Sequence, residues 1–111
     1  MRVISCKAGM PAMPIDIDGT LESMQELVGG YIETVRYDYE GIKNVIYVVN
    51  EEGKVMDMKP NKLIYQGRDL ICGDFFVAAF GINEDGEQDI VGLNERQEEF
   101  VMNTIGFGRL I

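Results

Sequence analysis

Asn44 to Val49 reads NVIYVV, six residues without a charge and with five apolar side chains in succession. A strand with one wet face alternates apolar and polar residues. An unbroken apolar run of this length, rich in β-branched side chains, is instead the mark of a central strand covered on both faces. A second strongly apolar segment, Leu70 to Phe80 (LICGDFFVAAF), has the same character, with a bend expected at Gly73-Asp74. Any fold for this chain has to bury these two stretches.

The remaining segments are read as partners for them. Arg2 to Lys7 (RVISCK) suits a short strand, and Pro14 to Asp18 (PIDID) alternates with Ile15 and Ile17 inward. Thr20 is a helix N-cap with Glu22 in the first turn, followed by Leu21, Met24, Leu27 and Val28 at helical spacing and Gly29-Gly30 as the stop. Tyr31 to Tyr39 alternates without saying which of its faces points inward. Asn50-Glu51-Glu52-Gly53 has hairpin-turn composition with Gly53 left-handed, and Val55 to Met58 is expected to return as the hairpin partner until Pro60 ends the pairing. Asn61 to Tyr65 reads as one helical turn or a short edge strand. Asn83 to Gly92 reads as an acidic loop interrupted by Ile90-Val91. Asn94 with Gln97 forms a capping box for a second helix whose buried stripe is Phe100, Val101, Thr104 and Ile105. The apolar tail Phe107 to Ile111 either docks or meets a second copy of the chain as a homo-oligomer contact.

Strands are grouped here, with no strict strand-helix alternation. The order predicts a single α+β domain over residues 1–111, with an antiparallel or mixed sheet of about five to six strands and two short amphipathic helices on one face. A chain of 111 residues reaches the size at which one core is sustained without a metal or disulfide staple. Cys6 and Cys72 lie inside strand-like runs, outside any metal-ligand spacing, and read as core residues of a reducing compartment; a disulfide between them stays open.

Nineteen acidic against ten basic residues give a formal net charge of -9, which argues against direct nucleic-acid binding and against an anionic membrane surface. An acidic surface can still imitate nucleic acid. With no secretory leader pattern and no apolar run near the length of a membrane span, a cytoplasmic protein is expected.

The chain contains no histidine, which removes the His-based triads and most zinc chemistry, and neither cysteine has an activating neighbour. Asp16-Ile-Asp18-Gly19-Thr20-Leu21 resembles the nucleophile motif of haloacid-dehalogenase-like phosphatases. The parallel sheet and further motifs of that family are missing, so the letters read as strand, turn and helix cap. Glu84, Asp85, Glu87 and Asp89 are weighed as a carboxylate metal site and read instead as a solvated acidic loop, or as a contact for a basic partner. Residues 84–99 hold seven acidic residues and one arginine. The donor-rich group is Asn50, Lys54, Lys59, Asn61, Lys62 and Arg68, which holds four of the ten basic residues around Pro60. Such donors suit an anionic small ligand if they converge; otherwise they balance Glu51, Glu52 and Asp57 on an exposed edge.

The blocks DGTLESMQELVGGYIE, VVNEEGK with PNK, ICGDFFVAAF and GLNERQEEF, in that order, resemble a small family catalogued as a domain of unknown function and common in phages, plasmids and Firmicutes. The resemblance implies a single-domain α+β protein of mobile elements, often near anti-restriction genes, without an assigned catalytic residue. In the phage case the compartment would be the host cell cytoplasm. The combined expectation is a non-enzymatic binding protein without a cofactor. It would sequester an anionic small molecule such as a cyclic nucleotide signal as a counter-defence protein. The alternative is an acidic nucleic-acid mimic that blocks a host defence protein or nucleic-acid enzyme through Glu84, Asp85, Glu87 and Asp89.

Overall fold

The computed structural model describes residues 1–110; Ile111, the last residue of the expected apolar tail, lies outside them. Ten elements follow in order: β1 (Arg2–Cys6), β2 (Met13–Asp16), α1 (Leu21–Val28), β3 (Ile32–Arg36), β4 (Val45–Asn50), β5 (Pro60–Ile64), β6 (Asp69–Cys72), β7 (Phe75–Ile82), β8 (Gln88–Val91) and α2 (Glu95–Thr104). The apolar run is β4, and all six of its residues are buried. It pairs with β3 on one side and β7 on the other in the order β2-β1-β7-β4-β3. β8 takes up the far end of β7, where Ala79 pairs with Val91 and Ile82 with Gln88. Every pairing is antiparallel, so the α+β class and the six-stranded sheet stand as expected.

Alternation along β4 divides the core in two. Ile46 and Val48 pack with Val3, Phe76 and Ala78 under Met24 and Val28 of α1. Val45, Tyr47 and Val49 pack with Ile4, Phe75 and Val77 under Val101 of α2 and Ile105 at its end. The helices therefore cover opposite faces, which corrects the expectation of both on one face. Helical periodicity identifies an apolar stripe without saying which side of a sheet receives it. A strand buried on both faces needs cover on both.

The α2 face also carries the separate β5–β6 hairpin, which contributes Ile64 and Ile71. Val55 to Met58 does not return as a strand. Residues 51–57 form successive turns, with Val55 and Met56 exposed. Pro60 opens β5, the strand position where a missing N–H matters least. Gly53 is not left-handed; Asp57 is, with φ 55°. What Gly53 provides is close approach, since a Cβ there would stand 2.5 Å from the Cys72 carbonyl oxygen. Ile90-Val91 belongs to β8, a strand and not an interruption in a loop. The bend at Gly73 is present, with φ 85°.

Both helix starts match their sequence signals. The Thr20 hydroxyl accepts from the Ser23 amide at 3.1 Å, and Asn94 and Gln97 form the full capping box. The tail docks: Leu63 N donates to Gly108 O at 2.9 Å and Leu110 N to Asn61 O at 2.8 Å, which adds a third strip of backbone to β5. Cys6 is buried, Cys72 is half-buried, and both are free thiols. Among the described residues no helix is long and apolar enough to cross a membrane.

Candidate functional site

The six donors expected to converge after the hairpin do not. Asn50 is buried and structural: its Nδ2 donates to Val28 O at 3.1 Å, and its Oδ1 accepts from Glu52 N at 2.8 Å. Asn61 is fully buried at the root of β5 and donates to Cys6 O and Gly73 O, each at 2.9 Å. Lys62 is also fully buried. Its ammonium donates to Phe107 O and to Ile105 O at 3.4 Å and lies 5.7 Å from the Tyr39 ring centroid. It thus neutralises the carbonyl end of α2, where a cation complements the helix dipole. Burial pushes its pKa down, and the Asp38 carboxylate pulls the other way. Lys54 is exposed but bound to Asp69, and Lys59 and Arg68 stand apart in solvent. The loop is a structural joint between β4, β5 and the tail.

Glu84, Asp85, Glu87 and Asp89 sit at the exposed tip of the β7–β8 hairpin. Asn83 organises the tip: its Oδ1 accepts from the amides of Asp85 and Glu87, each at 3.0 Å, and its Nδ2 donates to Asp89 at 3.3 Å. Among the described residues no group of carboxylates and thiols converges as a metal site.

Two cations line one recess elsewhere. An open cleft of about 650 Å³ lies between the loop 41–44 and the start of α2, lined by Lys43, Asn44, Asn94, Arg96 and Gln97 with Ile42 between them. The Gln97 side chain fastens the two walls, donating from Nε2 to Lys43 O at 3.2 Å. Asn44 takes a left-handed backbone (φ 63°) that turns the loop into β4. Among the described residues neither Lys43 nor Arg96 has a carboxylate within ion-pair distance. The Glu98 carboxylate of α2 is drawn off to Arg2 at 2.6 Å, which removes one acidic group from the helix start. A second cleft shares Ile42, Lys43 and Asn44 and brings in Arg36 and Tyr39, together with the carboxylates of Asp38 and Glu40. Asp38 is already occupied, accepting from the Tyr47 hydroxyl at 2.5 Å and from Tyr65 N at 2.8 Å.

Nothing in the sequence pattern groups Lys43, Asn44 and Arg96. One local signal exists: Arg96 is the single basic residue among the seven acidic ones of residues 84–99. Its partner wall lies some fifty positions earlier, and nothing local connects the two.

Sheet, helices and cleft together define a small α+β domain with a cationic, amide-lined recess at the start of its second helix. The chain belongs to the family described as Domain of unknown function (DUF3846), which matches residues 1–106. No curated protein and no solved structure matches it.

Proposed function

We propose that this protein binds an anionic small molecule, of the phosphate or nucleotide class, in the cleft between residues 41–44 and the start of α2, and holds it without cleaving it. The observation that carries the reading is that Lys43 and Arg96 line one recess with no carboxylate partner among the described residues, in a chain of net charge -9. Unpaired cations beside amide donors suit phosphate and carboxylate oxygens, and Arg96 offers a fork for bidentate contact. Ile42 and Tyr39 add apolar surface next to them, as a base or other flat group would need. In the mobile-element setting that the sequence resemblance implies, this binding serves sequestration of a nucleotide signal in counter-defence.

Isothermal calorimetry with inorganic phosphate and with mono-, di- and cyclic nucleotides tests it. At least one ligand is expected to bind, with affinity falling roughly tenfold in Lys43→Ala and in Arg96→Ala. Silence across the panel, turnover of a bound ligand, or affinity unchanged in both variants refutes the reading.

A second reading, an acidic contact for a basic protein surface, is favoured by the exposed hairpin tip, where Asn83 Oδ1 accepts from the backbone amides of Asp85 and Glu87 and so keeps these acidic residues in one turn. Charge reversal at Glu84, Asp85, Glu87 and Asp89 leaves any partner recovered from a host lysate unchanged if that reading is wrong. The exposed Phe107 and Leu110 separately suit self-association, and light scattering showing a monomer removes that contact alone.

A further inference from the structure

A smaller cleft of about 200 Å³ opens where β3 and β4 pass beneath the β5–β6 hairpin. Its floor is apolar, made of Val35, Val49, Ile64 and Ile71, and the last three are nearly fully buried. Its rim carries Glu33 and Glu51, both exposed, and the one cation there, Lys54, is already held by Asp69. The stretch that promised an anion site in the sequence therefore surrounds a recess of the opposite sign.

This recess adjoins a free sheet edge. β3 pairs only with β4 and ends the sheet. Tyr31 O accepts from Glu51 N at 2.9 Å and Tyr37 N donates to Val45 O at 3.1 Å, so the odd residues of this stretch turn their backbone groups toward β4. Strand geometry then aims the N–H and C=O of Ile32, Thr34 and Arg36 outward, off the edge; of these the Arg36 carbonyl is already taken, accepting from the Tyr65 hydroxyl at 2.7 Å. The side chains of Glu33 and Val35 share the face that carries the cleft. An added strand would find the outward backbone groups of Ile32 and Thr34 open to pairing, one apolar pocket and carboxylates beside it, all in period-two register.

We propose that the β3 edge and this cleft take an extended basic peptide by strand addition, with an apolar side chain in the pocket and basic side chains two residues to either side of it. Main-chain pairing supplies affinity in this mode of recognition, and the pocket for alternate side chains supplies specificity. The acidic rim favours lysine or arginine at the flanking positions and disfavours acidic ones. Exposed Val55, which lines the same recess, extends the apolar surface toward the solvent side.

The test is fluorescence anisotropy with a labelled heptapeptide of sequence Thr-Lys-Thr-Leu-Thr-Lys-Thr. Controls replace the leucine by glycine, or both lysines by glutamate. Saturable binding of the first peptide and none of the controls is expected. Thr34→Pro, which removes one outward N–H without touching the β4 ladder, abolishes it. The pair Glu33→Gln and Glu51→Gln weakens it roughly fivefold. No binding at millimolar peptide, equal binding of the glycine control, or full binding by the Glu33→Gln/Glu51→Gln protein overturns the proposal. The last variant decides the matter even if the proline variant fails to fold, which circular dichroism reports. Lys43→Ala, in the other cleft, leaves peptide binding unchanged.

Discussion

Replacing Asn61 by alanine should detach the β5–β6 hairpin from the main sheet more effectively than loss of any exposed charge. The Asn61 Nδ2 group holds Cys6 O at the end of β1 and Gly73 O at the bend before β7, each at 2.9 Å, from a position with no solvent access. Removing it leaves two buried carbonyls without that donor, at about 1–2 kcal/mol each. The lost carboxamide volume adds about 1 kcal/mol. Against this, Asn61 Oδ1 is itself buried without a partner, so its removal returns about 1 kcal/mol. The net cost is about 3 kcal/mol, a large share of the stability of a domain this size. Urea unfolding followed by far-UV circular dichroism measures it. Asn61→Asp sharpens the test, because the new carboxylate would face two carbonyl oxygens and its folded pKa would be raised. Such a group keeps its stability below the unfolded carboxyl pKa of about 3.9 and loses it as pH rises through the folded value. Asn61→Asp should therefore approach Asn61→Ala in acid and fall below it at neutral pH. A cost for Asn61→Ala under about 1 kcal/mol, or the same pH profile for both variants, refutes the reasoning.

The Ser23 hydroxyl, with the backbone and hydroxyl of Thr20, holds the Asp18 carboxyl down at about 2 from its ordinary 3.8, so its contribution is present above about pH 4 and is lost as pH falls toward 2. Asp18→Asn keeps the turn acceptor and should flatten the fall of the thermal midpoint over that window; parallel curves would contradict this. Gly53→Ala places a Cβ against the Cys72 carbonyl oxygen, a backbone atom that cannot rotate away, and should cost about 1–3 kcal/mol in urea unfolding, whereas a neutral result would show that the loop yields. Iodoacetamide with mass analysis should modify only Cys72 in the folded protein, since Cys6 is fully buried and burial pushes its thiol up to about 12; labelling of both at one rate would refute that burial.

The parts of the fold that were legible in the sequence are those fixed by a few neighbouring residues. The apolar run of β4, the caps at Thr20 and Asn94 and the bend at Gly73 each depend on short-range chemistry, and each stands where it was read. β8 is not legible because two apolar residues beside acidic ones give no clear period. The donor group is dispersed for a different reason. Lysine and asparagine in a turn-rich stretch read as solvated, yet Asn61 and Lys62 are buried by segments far away in the chain. Cys6 and Gly73 take the amide of Asn61, and the end of α2 takes the ammonium of Lys62. Conversely, Lys43 and Arg96 come together only once α2 is laid across the face of the sheet. Charge alone gave no hint of either outcome, because exposure is decided by the tertiary partner.

The position of β7 has a kinetic consequence. It is the strand that joins the two halves of the sheet, pairing Val77 with Ile4 on one side and with Tyr47 on the other, yet it is synthesised after both of them. Until it emerges from the ribosome, the β1–β2 and β3–β4 ladders are separate hairpins, each with an apolar edge that lacks its neighbour. Closure over so long a stretch of chain predicts slow, late folding. In that interval a chaperone that shields unpaired strand edges has most to do, and a chain stalled before Phe75 becomes aggregation-prone.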